Sequence, residues 1–380
     1  MDWREELAGL RGVIDEVDAE LMPLFQKRMA AARRIAEVKG KQNLAVQDNS
    51  RESQVIDNAT KRVEDDLKGE AAMLMRTIMC LSREYQHRLL FSGASPMLPP
   101  PAVPASGEIV CAYQGVPGSW SEKATKQLYP MAETVAVEYF ADIFTAVKNG
   151  KADYGIVPIE NSKTGAIGET YDLLRRHGCY IVGRTWLSIR QNLVGLKEAE
   201  VSDVREVFSH PEGLKQCSSY LSSKQWEQTA CRNTAVAAKL VADTGDVKKA
   251  AIASRHAAEL YGLKVLAPDI MDAADNRTSF VVIARQPEYN EDSDLISLTF
   301  STQHRSGALC EVLMSFMADN LNLMRIESRP IAADRYRFFA EIQGNIQDER
   351  VLSALRQAAA GSEYFEVLGC YSCVQGEEAL

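Results

Sequence analysis

Hydrophobic residues in the first forty positions recur every three or four residues, the spacing of one face of an α-helix. Such a pattern over eleven turns predicts one long amphipathic helix whose apolar seam packs against another helix. Pro23 lacks a backbone N–H, so we expect a kink near Ala19 to Pro23. The seam fills two heptad columns: Leu7, Ile14, Leu21 and Ile35, then Leu10, Val17, Leu24, Ala31 and Val38.

Two shorter helical patterns follow the first. One begins near Asp48, a residue type that suits a helix N-cap, and the other runs from about residue 70 to 90. Polar residues lie beside their apolar stripes: Arg51, Glu52, Ser82 and Gln86. The pattern therefore predicts an all-helical domain over residues 1–92.

A proline-rich stretch, residues 93–107, separates this domain from the rest of the chain. It reads GASPMLPPPAVPASG, with five prolines, and predicts a semi-extended linker. A ligand for a proline-recognition domain is the alternative interpretation.

From residue 108 to 285 short apolar strands alternate with helical patterns. The order predicts an α/β domain with mostly parallel sheets, divided into two lobes that the chain crosses between twice. A cleft between two such lobes is a natural binding site for a small ligand.

One predicted strand of this domain is followed directly by three polar residues. Tyr154 to Ile159 is an apolar run of strand length. Because Pro158 near its end cannot donate to a central ladder, we expect the strand to stop about there, on the polar residues that follow. Ligands of open α/β sheets bind at the carboxyl ends of strands. The residues that follow the run are Glu160, Asn161 and Ser162. The alternative is that they only satisfy a tight turn.

Other polar residues are predicted to line the same cleft. They stand at strand ends or in loops: Gly118 to Ser121, Ser209, His210, Gln216, Asn233, Thr234 and Thr278. A lone histidine such as His210 serves either a structural role or direct chemistry, and both remain open here.

The chain ends in a third pattern, after a short acidic linker at residues 286–294. Residues 295–375 read strand, helix, strand, strand, helix, strand, the ferredoxin-like plan. Gly307, Ala308 and Leu309 open the first of these helices, whose N-terminal N–H groups suit a carboxylate.

Length, hydrophobicity and cysteine content indicate the number of domains and the cellular compartment. The chain has 380 residues, enough for two or three domains, and no apolar run reaches the ~18 residues of a membrane helix. The charged N-terminus shows no signal peptide, so we expect a cytoplasmic protein without a membrane partner. Eight scattered cysteines do not form a disulfide framework, and Cys370 with Cys373 makes only a lone C-x-x-C. We expect no metal and no cofactor.

The net charge and the positions of the cationic residues limit the class of ligand. A net charge of −9 argues against nucleic acid, so anions must bind at local arginine clusters. Arg28 lies on the seam of the first helix, while Arg11 and Lys39 lie roughly 42 Å apart along it. Antiparallel pairing of two copies would bring Arg11 of one to Arg28 and Lys39 of the other, which predicts a homodimer or higher homo-oligomer. A solvated charged face is the alternative.

Residues 1–92 resemble the all-helical chorismate mutases that are fused to prephenate dehydratase. The matching positions are Arg11, Arg28, Lys39, Asp48, Arg51, Glu52, Ser82 and Gln86. The resemblance implies that chorismate is held in its compact conformer and rearranges to prephenate without a nucleophile. It further implies carboxylate binding by three arginines, including Arg11 of the partner subunit, and contacts of Lys39 and Gln86 with the breaking ether oxygen. Asp48 and Glu52 are expected at the hydroxyl end, with Glu52 also assisting catalysis at the ether.

Residues 108–285 resemble prephenate dehydratase, through GVPGSWS, YGIVPIENSKTG, SHPEGLKQC, NTAVAA and AAIAS in family order. The resemblance implies loss of carbon dioxide and water from prephenate to give phenylpyruvate. Thr278 would hydrogen-bond the leaving hydroxyl. The implied pocket residues are Glu160, Asn161, Ser162 and Gln216.

The sequence departs from that family at one position. The family motif is Thr-Arg-Phe, whereas Thr278 is followed here by Ser279, and a serine cannot replace a permanent forked cation. Two outcomes remain open. Either Arg277 replaces the missing arginine, or the dehydratase is weakened or prefers arogenate.

Residues 295–375 resemble the amino-acid-binding regulatory domain called ACT. The second motif of that family matches Glu327, Ser328, Arg329 and Pro330. The resemblance implies L-phenylalanine as effector, and a domain used only for oligomer contacts is the alternative. The leading hypothesis is thus a multidomain, bifunctional chorismate mutase and prephenate dehydratase inhibited by phenylalanine. A solute-binding sensor is the rival from another class.

Overall fold

A computed structural model describes residues 2–42, 44, 46–90, 97–273 and 275–374. The first four residues of the proline-rich linker, 93–96, and the last residue of the predicted C-terminal domain, 375, lie outside these ranges. None of the helices in the described ranges is long and apolar enough to span a bilayer.

The N-terminal domain is all-helical, as its periodicity predicts. Its helices are α1 (Trp3–Gln42), α2 (Asn49–Thr60) and α3 (Lys68–Leu90). Asp48 caps α2, because its side chain accepts a hydrogen bond from the backbone N–H of Arg51 at 3.0 Å. Helix α1 runs on through Pro23 without ending. The kink expected there stays a prediction.

The apolar seam of α1 is uncovered within one chain. Leu10, Val17 and Leu24 are 58%, 58% and 63% exposed, and the other large seam residues are exposed as well. Both α1 and α2 pack on α3, away from the N-terminal half of the seam. A strip of this length on a helix of forty residues is typical of a surface that packs against another helix.

The central domain contains eleven strands and seven helices within the described residues. In chain order they are β1 (Val110–Gln114), α4 (Trp120–Leu128), β2 (Glu133–Val137), α5 (Phe140–Lys148), β3 (Tyr154–Asn161), β4 (Gly165–Ala166), α6 (Gly168–His177), β5 (Tyr180–Ser188), β6 (Asn192–Gly195), β7 (Glu206–Ser209), α7 (Pro211–Gln216), α8 (Ser218–Ser222), β8 (Glu227–Ala230), α9 (Thr234–Thr244), β9 (Lys249–Ala253), α10 (Arg255–Leu260), β10 (Lys264–Ala267) and β11 (Arg277–Ala284).

These elements form two lobes, as predicted. Lobe 1 holds a sheet in the order β2-β1-β3-β11-β5, with β4 paired to β3. Lobe 2 holds a sheet in the order β10-β6-β9-β7-β8. The chain crosses from lobe 1 to lobe 2 after β5 and returns into β11. Strand β11 runs antiparallel to both neighbours, so its first residues lie beside the carboxyl ends of β3 and β5.

Strand β3 ends three residues after Pro158, which agrees with the prediction that it stops about there, on the polar residues Glu160 to Ser162. The strand continues through Asn161, with Glu160 opposite Ser279 and Asn161 opposite Thr278. Two features accommodate the proline. The pairing of β1 with β3 covers only Tyr154 to Ile156, so no β1 partner is lost at Pro158, and a register shift in β11 falls beside it.

The C-terminal domain, residues 295–371, forms one antiparallel sheet with two helices. Its elements are β12 (Leu295–Ser301), α11 (Ala308–Ala318), β13 (Leu323–Ala332), β14 (Arg335–Gln343), α12 (Glu349–Ala360) and β15 (Tyr364–Tyr371), with the sheet order β13-β14-β12-β15. One sheet face packs on the helices. The other packs on lobe 1, where Phe339 and Tyr371 share a core with Tyr171 and Ile181.

The described part of the proline-rich linker is packed against the protein. Leu98 is buried in the core of the C-terminal domain, and the N–H of Ala102 donates to the carbonyl of Pro287 at 2.8 Å. The N–H of Ala105 donates to the hydroxyl of Tyr154 at 3.0 Å. This part of the linker therefore runs as an extended strap across two domains.

Candidate active sites and the contact between domains

A cavity of about 400 Å³ lies between the three N-terminal helices. Seven of the eight residues predicted for this domain line it: Arg28, Lys39, Asp48, Arg51, Glu52, Ser82 and Gln86. They come from all three helices and from positions up to 58 residues apart in sequence. The cavity is rich in cations and hydrogen-bonding groups, which suits a compact dianion.

Hydrogen bonds to Ser82 position two of the polar side chains in this cavity. Arg28 donates to the hydroxyl of Ser82, and burial lowers the pKa of Arg28 from its ordinary value. Gln86 is buried, and its Nε2 donates to the carbonyl of Ser82 at 3.1 Å. Its Oε1 has no hydrogen-bond partner among the described residues. A buried acceptor of this kind is costly unless a ligand donates to it.

Arg11 is the predicted residue that the single chain does not bring to the cavity. It is exposed on α1, 17 residues before Arg28, which corresponds to roughly 26 Å along the helix.

An ion-paired arginine that the sequence did not single out borders the same cavity. Arg83 Nη1 lies 2.5 Å from Glu52 Oε1, and Arg83 Nη2 lies 3.7 Å from Glu311 on α11 of the C-terminal domain. Burial opposes the charge, but the hydrogen bond and attraction of Glu52 outweigh it and raise the pKa of Arg83. Arg83 thereby connects the helical cavity with the C-terminal domain.

A second polar cluster lies where the two lobes meet. Asn161 Nδ2 donates to Thr278 Oγ1 at 2.9 Å and to Asn276 Oδ1 at 2.7 Å. Asn276 Nδ2 in turn donates to Gln216 Oε1 at 3.1 Å. The structure therefore brings together three predicted residues: Asn161 and Thr278 from lobe 1 and Gln216 from lobe 2.

Asn161 has a fixed amide orientation in this cluster. Its Oδ1 accepts the backbone N–H groups of Lys163 and Thr164 at 3.0 and 3.1 Å, so its Nδ2 must face Thr278. Ser162 stands at the rim, where its hydroxyl accepts the N–H of Arg277 at 3.0 Å. Asn276, only 2% exposed, was missed in the sequence because no local pattern marks it.

Other residues predicted for the cleft have capping roles. His210 Nδ1 accepts the N–H of Glu212 at the start of α7, and burial lowers the pKa of His210. Asn233 Oδ1 accepts the N–H of Val236 at 2.8 Å at the start of α9. These contacts give His210 a structural role at a helix end.

Glu160 does not join Asn161 in the cluster. Neighbouring residues of a strand face opposite sides, and Glu160 faces the C-terminal domain. Its Oε2 lies 3.1 Å from Arg325 Nη1 on β13 and 3.5 Å from Arg184 Nη2 on β5. The geometry therefore disagrees with the prediction that Glu160 lines the pocket beside Asn161.

Ser279 faces the same side as Glu160. Arg184 Nη2 donates to its hydroxyl at 3.3 Å, and Arg184 also pairs with the buried Glu341 on β14. Arg277 instead stacks on the ring of Trp186, 4.4 Å from its centroid. A guanidinium therefore does stand beside position 279, and it belongs to Arg184.

The residues predicted for an effector lie on two elements of the C-terminal domain. Gly307, with φ of 79°, precedes α11, where Ala308 and Leu309 form the first turn. Glu327 and Arg329 lie on the partly covered face of β13, and Ser328 and Pro330 on its exposed face. A Cβ at Gly168, the first residue of α6, would lie 1.3 Å from Arg329 Nη1, so Arg329 is seated against lobe 1.

Comparisons with known proteins agree with this domain order. Residues 111–288 match the family model for prephenate dehydratase, and residues 10–87 match the model for chorismate mutase type II. The chain is 31% identical to the bifunctional chorismate mutase/prephenate dehydratase of Neisseria gonorrhoeae over 373 residues, which covers 95% of each chain.

Two further matches each cover about 70% of the chain. The chain is 36% identical to arogenate dehydratase/prephenate dehydratase 2 of Arabidopsis thaliana over 298 residues, 73% of this chain and 78% of that one. The structure of prephenate dehydratase from Arthrobacter aurescens in complex with L-Phe superimposes with a TM-score of 0.64 at 27% identity, covering 70% of this chain and 90% of that chain.

The chain therefore belongs to the family of bifunctional chorismate mutase/prephenate dehydratases. It is an enzyme of phenylalanine biosynthesis that combines the rearrangement of chorismate with the decarboxylation and dehydration of prephenate. These matches leave the rival hypothesis of a solute-binding sensor without support.

Proposed function

We propose that the mutase reaction takes place in the cavity between the N-terminal helices. The observation that carries this proposal is that seven predicted residues line one cavity of about 400 Å³. Arg28 and Arg51 would bind the two carboxylates of chorismate in its compact conformer. Lys39 would face the breaking ether oxygen, where negative charge develops. Gln86 would do so through its Nε2, after its side-chain amide turns over from the carbonyl of Ser82. Asp48 and Glu52 would hold the hydroxyl end.

We infer that the active mutase is a homodimer in which Arg11 of the partner subunit completes each cavity. The exposed seam of α1 and the distance of Arg11 from its own cavity support this. Mixing the variants Arg11→Ala and Arg28→Ala tests it. Each alone should be inactive. A 1:1 mixture should regain about a quarter of the parent activity after chain exchange, because about half of the dimers are then heterodimers and one of the two sites in each heterodimer is intact. A mixture that stays inactive after chain exchange would contradict the dimer site.

We propose that dehydration takes place at the cluster of Asn161, Thr278 and Gln216. Because Thr278 Oγ1 accepts a hydrogen bond from Asn161, its own proton is free to be donated to the leaving hydroxyl of prephenate. The substrate already contains the driving force of aromatisation, so the protein mainly orients it and assists departure of the hydroxyl. Thr278→Val, which keeps the shape and removes the hydroxyl, should abolish most phenylpyruvate formation and spare the mutase.

The orientation of Ser279 supports a dehydratase whose activity is not weakened by the missing arginine. Its side chain faces away from Thr278 and toward Arg184. The replacement of arginine by serine at this position therefore removes no cation from the cluster. Arogenate remains a second candidate substrate, because a relative at 36% identity is named for both activities. Rates of phenylpyruvate release from prephenate and of phenylalanine release from arogenate decide between the two.

We propose that the C-terminal domain is an ACT domain of ferredoxin-like fold that binds L-phenylalanine. Its strand order β13-β14-β12-β15 and the L-Phe complex of a similar structure support this. The residues proposed for the effector are Gly307, Ala308, Leu309, Glu327, Ser328, Arg329 and Pro330. L-phenylalanine added to the parent chain should inhibit the dehydratase. An unchanged rate at saturating phenylalanine would refute the regulatory role.

We also propose a cytoplasmic location. Apart from Cys80, the seven cysteines of the described ranges are free thiols, four of them buried, which suits a reducing compartment.

A further inference from the structure

Strand β3 connects the proposed dehydratase cluster with the C-terminal domain through two adjacent residues. Asn161 faces the cluster and donates to Thr278, whereas Glu160 faces the opposite side and meets Arg325. Any force on the Glu160 side chain acts on the backbone that also carries Asn161. A contact that holds Glu160 therefore also restrains the backbone position of Asn161.

Two arginines and two glutamates form the charge cluster at this contact. Arg325 and Arg184 are 12% and 17% exposed at the side chain, Glu341 is 6% exposed and Glu160 is 31% exposed. Arg325 also stacks over the ring of Tyr171, 5.6 Å from its centroid. Its position is thus fixed from two directions, which suits a residue that orients another.

Glu341 has a second anchor on the C-terminal domain. Tyr371 donates its hydroxyl to Glu341 Oε1 at 3.2 Å, and burial followed by the charge of Glu341 raises the pKa of Tyr371, which keeps it a neutral donor. Arg184 is shared between Glu341 and Glu160. Arg325 is the nearer of the two cations to Glu160 Oε2, at 3.1 Å against 3.5 Å for Arg184.

A second contact shows that β13 fits the same segment of lobe 1. Arg329, four residues after Arg325 on β13, packs against Gly168. Its guanidinium lies so close to Gly168 that a Cβ on that residue would not fit. Residues 325 and 329 of one strand thus hold residues 160 and 168 of the segment that contains Asn161.

We propose that Arg325, supplied by the C-terminal domain, is a positioning residue of the dehydratase and acts through Glu160 on Asn161 and Thr278. This rests on the proposed role of the Asn161 and Thr278 cluster. The dehydratase site then extends into the neighbouring domain. The two lobes without β13 would lack Arg325 and would therefore dehydrate prephenate more slowly.

The test uses the full chain and measures both reactions in each preparation. Arg325→Met removes the charge and keeps the stem, and Arg325→Lys restores a charge. We expect Arg325→Met to lower the dehydratase kcat about 10-fold to 100-fold, since small displacements of positioned groups have effects of this size. The KM for prephenate should change less than the kcat. Arg325→Lys should recover part of the loss, and the mutase rate should stay within twofold of the parent.

A double-mutant cycle separates positioning from general support. If Arg325 acts through Glu160, then Arg325→Met combined with Glu160→Gln should be no slower than the slower single variant. Arg350→Met, at a solvent-exposed ion pair on α12 of the same domain, is the matched control and should leave both rates unchanged.

Three results would overturn the proposal. They are a dehydratase kcat within twofold of the parent in Arg325→Met, an equal loss of both activities, or strictly additive losses in the double variant. If Arg325→Met does not fold, Gly168→Ala tests the same strand by displacing Arg329, and an unchanged dehydratase kcat would count against the proposal. Failure of the proposed role of the cluster would look different, because Thr278→Val would then form phenylpyruvate at the parent rate.

Discussion

Replacing Gly369 with alanine should drive a methyl group into the contact between the C-terminal domain and lobe 1. Gly369 lies on β15, and a Cβ at this position would be 2.0 Å from the carbonyl oxygen of Ile181 on β5. Carbon and oxygen atoms approach to about 3.3 Å in tight contacts, so the two strands must separate by roughly 1.3 Å. The backbone of Gly369 is not left-handed, so the chain itself accepts alanine there.

The expected loss can be bounded from the contacts involved. Inserting one methyl group into packed structure costs about 1–3 kcal/mol. Separation also pulls Arg184 away from the buried Glu341, and breaking a buried pair costs up to about 5 kcal/mol. Since relaxation of the strands relieves part of both, we expect the free energy of unfolding to fall by about 3 kcal/mol.

The assay is urea denaturation of the parent and the variant, with limited proteolysis of the linker at residues 286–294. The matched control is Gly183→Ala on β5, where a Cβ would make an ordinary contact of 3.4 Å with Val282. We expect the control to unfold like the parent. If Gly369→Ala changes the free energy of unfolding by less than about 0.5 kcal/mol, the proposed close contact between the domains is incorrect.

Three further perturbations follow from the same structure. Arg83→Met should lower the mutase kcat about tenfold, by releasing Glu52, while dehydratase turnover measured on the same sample stays unchanged; equal mutase rates would show that Glu52 needs no such partner. Ser279→Arg should not raise the dehydratase rate, because the new cation meets Arg184, and a large rise would favour the weakened enzyme. Stability should fall as pH drops below about 6.5, because three histidines have pKa values lowered mainly by burial and the unfolded chain binds their protons first; melting temperatures at pH 7.5 and 5.5 would be equal if this were wrong. These histidines are His87, His177 and His210.

Features with a strong local period could be predicted from the sequence. Helix α1 and the cap of α2 at Asp48 follow from helical spacing and from capping chemistry, which need no knowledge of distant residues. The same holds for β12 to β15, whose bounds the apolar runs define closely. The seven residues of the helical cavity could be named through the family resemblance, since their spacing alone leaves a solvated face open.

The remaining features depend on pairings that local rules do not contain. Pro158 is tolerated because β1 pairs with β3 only as far as Ile156, a fact of register rather than of propensity. Asn276 enters the cluster because the returning crossing passes between the lobes. The opposite orientation of Glu160 and Asn161 does follow from the two-residue period of a strand, and assigning both to the pocket overlooked that period.

The central claim is that one chain carries out two reactions at two separate sites. The most direct test supplies chorismate to the parent chain and to Thr278→Val and follows chorismate, prephenate and phenylpyruvate together. The parent should convert chorismate to phenylpyruvate. The variant should consume chorismate within twofold of the parent rate and accumulate prephenate. Undiminished phenylpyruvate formation by Thr278→Val, or loss of chorismate consumption in that variant, would contradict the assignment of the two sites.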